Sequence, residues 1–275
     1  MHIFTQSSLA LAASALLFTA CGSSDTPAMG NVTLQAWGED YIDVEIPAED
    51  VIDGWTIRFE HALVAISDVT LNGHGDPSLL SHQRVVDLAA PPAGAKTIGT
   101  TAVPAGLYNT VQYRVSPVGT GTTVEDTADD APGVSSAEEL MFNSQASIVL
   151  TGKATKEEAE IRFNWAFDAD TLYERCQIDT TVEKDGESSV ELTFHFDHLF
   201  NDDLDSPTPN IAFDLIASAD ADQDGEVTKD ELLAVNIEGE ERYQVGSRPI
   251  TNLWDFIAHQ STTVGHINGE GHCGE

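Results

Sequence analysis

The sequence predicts a mostly β protein, an antiparallel β-sandwich with a C-terminal helical appendage. Hydrophobicity runs with period two as far as Phe200 and with helical period beyond it. Trp55, Ile57 and Phe59 alternate with Arg58 and Glu60, and Val111, Tyr113 and Val115 with Gln112 and Arg114. Ile161, Phe163, Trp165 and Phe167 repeat the pattern, as do Val190, Leu192, Phe194 and Phe196. Turn residues punctuate these runs, as at Val103-Pro104-Ala105-Gly106 and Lys184-Asp185-Gly186. Many short half-buried strands cover one another in two layers. On this reading the four tryptophans are core residues.

Residues 1–20 carry no Asp, Glu, Lys or Arg, and 9–20 form an apolar, small-residue run too short to span a bilayer. They read as a signal peptide. Leu17-Phe18-Thr19-Ala20-Cys21-Gly22 resembles a bacterial lipobox, which makes Cys21 the expected lipidation site; simple secretion with unmodified Cys21 is the alternative. Residues 21–30 then form a flexible tether of small residues, 31–204 the sandwich domain and 205–275 the appendage and tail. Such a chain is expected to cross the inner membrane and to remain as an outer-membrane or cell-surface lipoprotein, with the periplasm as the alternative. Its contact with a membrane is through the N-terminal lipid only. Forty-six acidic against twelve basic residues give a net charge of -34 with no basic cluster, which excludes nucleic acid as a partner.

With Cys21 assigned to lipid, Cys176 and Cys273 remain as an even pair in an oxidising compartment and are expected to form a disulfide. Cys176 shares the inward face of its strand with Ile178 and Val182. The alternative is a metal thiolate at Cys273 beside His272. The stretch 123–139, with Glu125, Asp126, Asp129, Asp130, Glu138 and Glu139, reads as a solvated acidic loop.

Beyond Phe200, residues 210–219, 229–235 and 252–260 read as short helices. Between the first two lies Asp220-Ala-Asp222-Gln-Asp224-Gly225-Glu226-Val227-Thr228-Lys-Asp-Glu231, which fills every diagnostic position of an EF-hand-type calcium loop. Asp220, Asp222 and Asp224 supply carboxylates, Glu226 a backbone carbonyl, Thr228 a hydroxyl or a water, and Glu231 two oxygens that close the shell. Gly225 permits the sharp turn and Val227 anchors the loop to the core. EF-hands usually pair, and the sequence holds no second such loop, so a weak site of about 10⁻⁴ to 10⁻³ M is expected.

Phe194-His195-Phe196-Asp197-His198 carries a second constellation. Extended backbone would put the two phenylalanines inward and His195 and Asp197 on the outer face about 7 Å apart, with His198 at the strand end. The tail adds His266 and His272, brought toward the sheet by the disulfide. Imidazoles suit copper or zinc. His61, His74 and His82 show no partner pattern. The motifs of serine hydrolases, phosphate-binding loops, dinucleotide sites and zinc peptidases are missing, so the chain reads as a non-enzyme. Calcium binding with a binding or structural role at the envelope comes first, copper or zinc binding second, and a hydrolase with an unrecognised site third. Metal ions are the expected partners, and no protein partner is indicated.

Ala36-Trp37-Gly38-Glu39-Asp40-Tyr41-Ile42, the stretch from Asp53-Gly54-Trp55 to Asp68-Val69, His198-Leu199-Phe200, the EF-hand-type loop from Asp220 to Glu231 and the stretch from Val264-Gly265-His266 to His272-Cys273 together resemble acidic, EF-hand-bearing bacterial lipoproteins without an assigned activity. More distantly, the strand pattern and Val103-Pro104-Ala105-Gly106-Leu107-Tyr108 resemble the secreted copper-binding family associated with methanobactin. That resemblance implies a β-sandwich with histidine ligands to copper. The tryptophan-dense histidine segment of that family is not recognisable here, so only His195 and His198 carry over.

Overall fold

The computed structural model describes residues 27–124 and 137–274. The expected leader, Cys21 with most of its tether, and Glu125, Asp126, Asp129 and Asp130 lie outside the described residues. Among the described residues no helix is long and apolar enough to cross a membrane. The chain runs through β1 (Met29–Trp37), α1 (Glu39–Asp43), β2 (Thr56–Asn72), β3 (Ser78–Leu80), β4 (Arg84–Asp87), β5 (Lys96–Pro104), β6 (Gly106–Val115), β7 (Thr123–Val124) and α2 (Ala137–Ser144). β8 (Ile148–Lys156), β9 (Ala159–Phe167), β10 (Thr171–Val182) and β11 (Glu187–Phe194) follow, ending in a 3-10 turn at Phe196–Phe200. The C-terminal part holds α3 (Asp214–Ala217), β12 (Glu226–Val227), α4 (Lys229–Ala234), α5 (Leu253–Gln260) and β13 (Gly265–Ile267).

The protein is mostly β, built on two sheets. One has the order β13-β11-β1-β5, and the other β10-β6-β2-β8-β9-β12 with β3, β4 and β7 attached at its side. The expectation of purely antiparallel sheets is corrected: β1 pairs with β11, β9 with β12 and β4 with β7 in parallel. Period-two alternation dictates which face of a strand is buried and is silent on the direction of its neighbour.

The inner faces meet in one core. Val32 and Leu34 of β1 and Leu192 and Phe194 of β11 are buried against it. Tyr113 of β6 stacks on Tyr173 of β10 at 4.8 Å and meets Phe194 edge-on at 6.1 Å, which joins the two sheets. In the middle of β2, Ala62, Val64 and Ile66 face this core, while Leu63 and Ala65 face a smaller cluster with Met141 of α2. Burial on both faces explains why this strand is continuously apolar. Three of the four tryptophans sit inside: Trp55, Trp165 and Trp254 are buried, and the indole N–H groups of Trp55 and Trp165 donate to Asp214 and to the Val227 carbonyl, whereas Trp37 is only half-buried, its indole N–H donating to Asp43.

The same core takes residues from beyond position 204. Phe213 packs on Trp55 at 5.2 Å and on Phe200 at 5.8 Å, and Trp254 stacks on Phe167 at 5.1 Å. The first expected helix is shortened to α3. Ile211 bridges to Val51 and Asn201, keeping the backbone before it extended, and Asp53 Oδ2 accepts from the N–H groups of Phe213 and Asp214 to start the helix late. The last one matches closely, with Asn252 accepting from the Asp255 N–H as its cap.

Candidate metal centres

The EF-hand-type loop, Asp220 to Glu231, is held in register by its own backbone. Gly225 turns at a φ of 82°, and its N–H donates to Asp220 Oδ2. The Asp224 N–H donates to Asp220 Oδ1 and the Glu226 N–H to Asp224 Oδ1. Carboxylate oxygens of Asp220, Asp222 and Asp224 thereby come within 4.8 Å of one another. Glu231 closes over the loop: Oε2 accepts from the Thr228 N–H and hydroxyl, and Oε1 from the Ala221 N–H. Those N–H donors hold its carboxyl below the usual carboxylate range. Thr228 also caps α4 in a reciprocal box with Glu231, so one carboxylate both starts the helix and faces the loop.

The place a second loop would take is filled by a sheet edge. Glu226 and Val227 form β12 alongside Arg162 and Phe163 of β9. The Arg162 N–H donates to the Gly225 carbonyl, and Val227 is fully buried. The sequence holds no second such loop, and nothing local in β9 marks that strand as the substitute.

The histidines gather more tightly than expected and in a different way. The strand geometry proposed for His195 and Asp197 is corrected: β11 ends at Phe194, and His195 turns in rather than out, leaving it 8% exposed. Asp197 and His198 ride on the 3-10 turn, so the strand spacing does not apply. His195 Nδ1 lies 3.9 Å from Asp197 Oδ1. The tail does more than approach the sheet. β13 is its edge strand, pairing Thr193 with His266 antiparallel, and the His195 N–H donates to the Val264 carbonyl.

β13 is drawn in from below. Tyr113 Oη donates to the His266 carbonyl and Tyr173 Oη to that of Thr262. Gly265 lies so close to both rings that a Cβ there would sit 2.5 Å from Tyr113 Oη, so only glycine lets the strand lie flat. A hairpin then closes between Ile267 and Gly271, and the Cys176–Cys273 disulfide pins the tail to β10. His272 is thereby fixed next to the cluster, and the metal-thiolate alternative for Cys273 falls away.

The result is a triangle of imidazoles, His195, His198 and His266, with His272 against His266. Ring centroids of His195 and His266 are 4.4 Å apart, those of His195 and His198 5.6 Å, those of His198 and His266 5.3 Å, and those of His266 and His272 5.1 Å. His195, Asp197 and His198 offer ligand atoms within 4.8 Å of one another. His195 Nε2 and His266 Nδ1 are buried with no hydrogen-bond partner. Buried polar atoms are nearly always paired, so two orphaned ring nitrogens in one cluster are lone pairs or N–H groups awaiting a partner. His198 Nδ1 lies 3.2 Å from the Thr263 carbonyl, the kind of outer contact that orients a metal-bound ring.

Burial disfavours charge at His266, His198 and Asp197. The His266 pKa is pushed down to about 3, first by burial and then by His195, His198 and His272. His198 is also lowered by burial, while burial raises Asp197 against the pull of His198 and His195. Tyr41 of α1 borders the site, its phenol pushed up to about 12 by burial, by its bond to Asp50 and by the charge of Asp197. His266 and His198 are therefore held toward the neutral imidazole, the form that binds metal.

A stability consequence follows for the metal-free protein. As pH falls below about 6.5 the unfolded chain protonates its histidines while folded His266 stays neutral down to about 3, so this residue costs stability progressively across that window. Asp197 acts in the opposite sense, because its raised pKa makes its ionised form the costly one. Relief of the acidic self-repulsion also opposes the loss, which makes the comparison with a variant decisive. Urea unfolding at pH 7 and pH 5 is expected to show a more favourable acid shift in His266→Gln than in wild type; equal shifts would place His266 in a wet, ordinary setting.

His61, expected to stand alone, has its Nδ1 2.7 Å from Asp87 Oδ2, and Asp87 Oδ1 accepts from the Ala62 and Ala89 N–H groups. That arrangement braces β2 and β4.

No protein-family model and no curated protein sequence matches this chain. Among solved structures it is similar to MbnP from Methylosinus trichosporium, at a TM-score of 0.30 and 8% identity over 62% of this chain and 77% of that one. The likeness is distant and carries no argument about the site. The resemblance to EF-hand-bearing lipoproteins has no counterpart in these comparisons. What the arrangement can do rests on its own donors, which are imidazole nitrogens at one end of the sheets and carboxylate oxygens in the loop.

Proposed function

We propose that this chain is a metal-binding protein of the bacterial envelope that takes a copper or zinc ion on the cluster of His195, His198, His266 and His272, with Asp197 at its side. The observation that carries this reading is the pair of buried ring nitrogens without hydrogen-bond partners, His195 Nε2 and His266 Nδ1, whose rings are 4.4 Å apart. An unsatisfied buried polar atom costs about 1–3 kcal/mol. A metal ion that accepts both lone pairs removes two such penalties at once. Neutral nitrogen donors favour copper and zinc over calcium or magnesium.

A second reading concerns calcium, and the closed acidic loop favours it. Three carboxylates brought together by backbone N–H groups, with Glu231 folded over them, suit a hard cation with many oxygen ligands. In this reading Asp220, Asp222, Asp224, Glu226, Thr228 and Glu231 hold a structural calcium that steadies β12 and α4. The fold is taken as a β-sandwich over 31–204 with the loop-bearing segment 205–275 packed on it. Cys21 is the proposed lipid anchor, placing the chain at the outer membrane or cell surface, in the company of acidic lipoproteins it resembles.

Competition of copper(II) or zinc(II) against a chromophoric chelator at pH 7, with calcium in excess, tests the first reading. The His195→Ala, His266→Ala double variant is expected to lose affinity by more than the ~10–100-fold that follows loss of an outer-sphere partner. Equal affinities in wild type and variant would sink the assignment.

A further inference from the structure

Away from the histidines, two further buried polar atoms without hydrogen-bond partners, Asp53 Oδ1 and Tyr243 Oη, belong to residues that line one cavity of about 200 Å³ beside α3. Asp53, between α1 and β2, has a side chain 7% exposed, and Tyr243, between α4 and α5, is 5% exposed. Each is held by its other contacts. Asp53 Oδ2 is committed to the N–H groups that start α3, which leaves Oδ1 as the oxygen without a donor. The Tyr243 ring packs edge-on against Phe256 at 5.3 Å, and the next N–H, that of Gln244, donates to the Asp202 carbonyl. Two orphaned atoms at one cavity are unusual, because buried polar groups are nearly always paired.

The surroundings decide what suits these atoms. An ionised carboxylate only accepts hydrogen bonds, and a phenol oxygen can accept as well as donate. Asp214 and Glu240 also line the cavity, and the buried Asp202 stands 3.8 Å from Arg242. Against these acids stand Arg242, half-exposed and 4.0 Å from Asp53 Oδ2, and Lys156, which donates to Asp214. Both Arg242 separations exceed the roughly 2.7–3.2 Å of an N–H···O bond, so the guanidinium does not satisfy Asp53. Burial, and then the charges of Asp53 and Asp202, push the Tyr243 phenol up, so it stays neutral. The negative excess favours a cation, and Ala212 and Leu215 give the cavity an apolar wall. Among the described residues, Asp53 is in no set of carboxylates and imidazoles close enough to grip one metal ion. A water molecule takes about 30 Å³ of liquid, so the space exceeds what one bridging water needs.

We propose that this cavity binds a primary alkylammonium ion, a free short-chain amine whose N–H groups donate to Asp53 Oδ1 and Tyr243 Oη and whose alkyl chain lies along Ala212 and Leu215. An ammonium carries three N–H donors, enough to satisfy both orphaned oxygens at once. Its charge is matched by the carboxylate, and a hydrogen bond with an ionised partner is the stronger kind. A quaternary ammonium has the charge without an N–H, and an alcohol of the same length has a donor without the charge, so both fit worse. The site stands apart from the histidine cluster and does not depend on the metal reading.

Amide NMR of the mature chain tests this at physiological ionic strength, where salt screens loose attraction to the acidic surface. The N–H signals of Phe213 and Asp214, which bond Asp53, report on the cavity as n-butylammonium is added. Wild type is expected to show saturable shifts there, with tetramethylammonium and 1-butanol weaker by about tenfold or more. Tyr243→Phe is expected to weaken n-butylammonium by about tenfold or more, the effect of losing a hydrogen bond to a charged group. Because the hydroxyl has no partner in the fold, the same variant is expected to melt no lower than wild type without ligand. The site is overturned by the absence of a saturable shift, by equal binding of tetramethylammonium or 1-butanol, or by equal affinity in Tyr243→Phe. A lower melting temperature of the ligand-free variant also overturns it, for the hydroxyl would then be bonded within the fold.

Discussion

A Cys176→Ala, Cys273→Ala double variant is expected to lose about 2–5 kcal/mol of unfolding free energy and, with it, roughly tenfold or more in copper or zinc affinity. The disulfide closes a sequence separation of 97 residues, long enough for the chain-entropy contribution to be large. Alanine is the replacement of choice because Cys176 is fully buried and a serine hydroxyl there would need a partner. The coupling to metal comes from position. Cys273 follows His272 directly, and the same tether restrains the hairpin after β13. Urea unfolding and chelator competition on the same variant separate the effects. Weaker stability with unchanged metal affinity would mean that β13, Tyr113 and Tyr173 alone place the ligands.

Glu231→Gln is expected to abolish measurable calcium binding at millimolar calcium, the largest effect of any single change in the acidic loop. The substitution removes one charge and leaves an amide that offers a single acceptor oxygen where the ion takes two. It also weakens the reciprocal cap with Thr228, because one of the two oxygens that accept from the loop becomes a donor. Calorimetric titration of the metal-free protein should show one weak saturable site in wild type and none in the variant. An unchanged isotherm would move calcium away from this loop. Since a ligand stabilises the state that binds it, wild type should also melt higher in calcium and the variant should not.

Faces were legible in the sequence and partners were not. Tyr113, Phe163, Trp165 and Leu192 are buried where alternation puts them, and Cys176 points inward toward Cys273. Strand direction was not readable. The ladder from Leu34–Val190 to Trp37–Thr193 is parallel, and nothing in either strand alone encodes that. The continuous run Ala62-Leu63-Val64-Ala65-Ile66 was a usable sign that β2 is covered on both sides.

At the histidine site the residue list was readable but its geometry was not. Period two overruns the strand by three residues, from Phe194 to Asp197, because Phe196 is buried as a strand residue would be while the backbone has already turned. Asp53 and Tyr243 escaped notice for a different reason. They lie 190 residues apart, and only the packing around α3 brings them to one cavity.

The pairing of β12 on β9 also decides what a neighbouring molecule meets. Without it, the large sheet would end on β9, an open edge with unpaired N–H and C=O groups that another chain could extend. Instead a two-residue strand interrupts that edge near its middle at Arg162 and Phe163, and it arrives embedded in Asp220, Asp222, Asp224, Glu226 and Glu231. A second copy approaching edge to edge would bring the same acids against them. The acidic turn is thus also a guard against sheet-to-sheet polymerisation, and because its obstruction is steric as well as electrostatic, it would continue to act if a bound cation cancelled much of the charge.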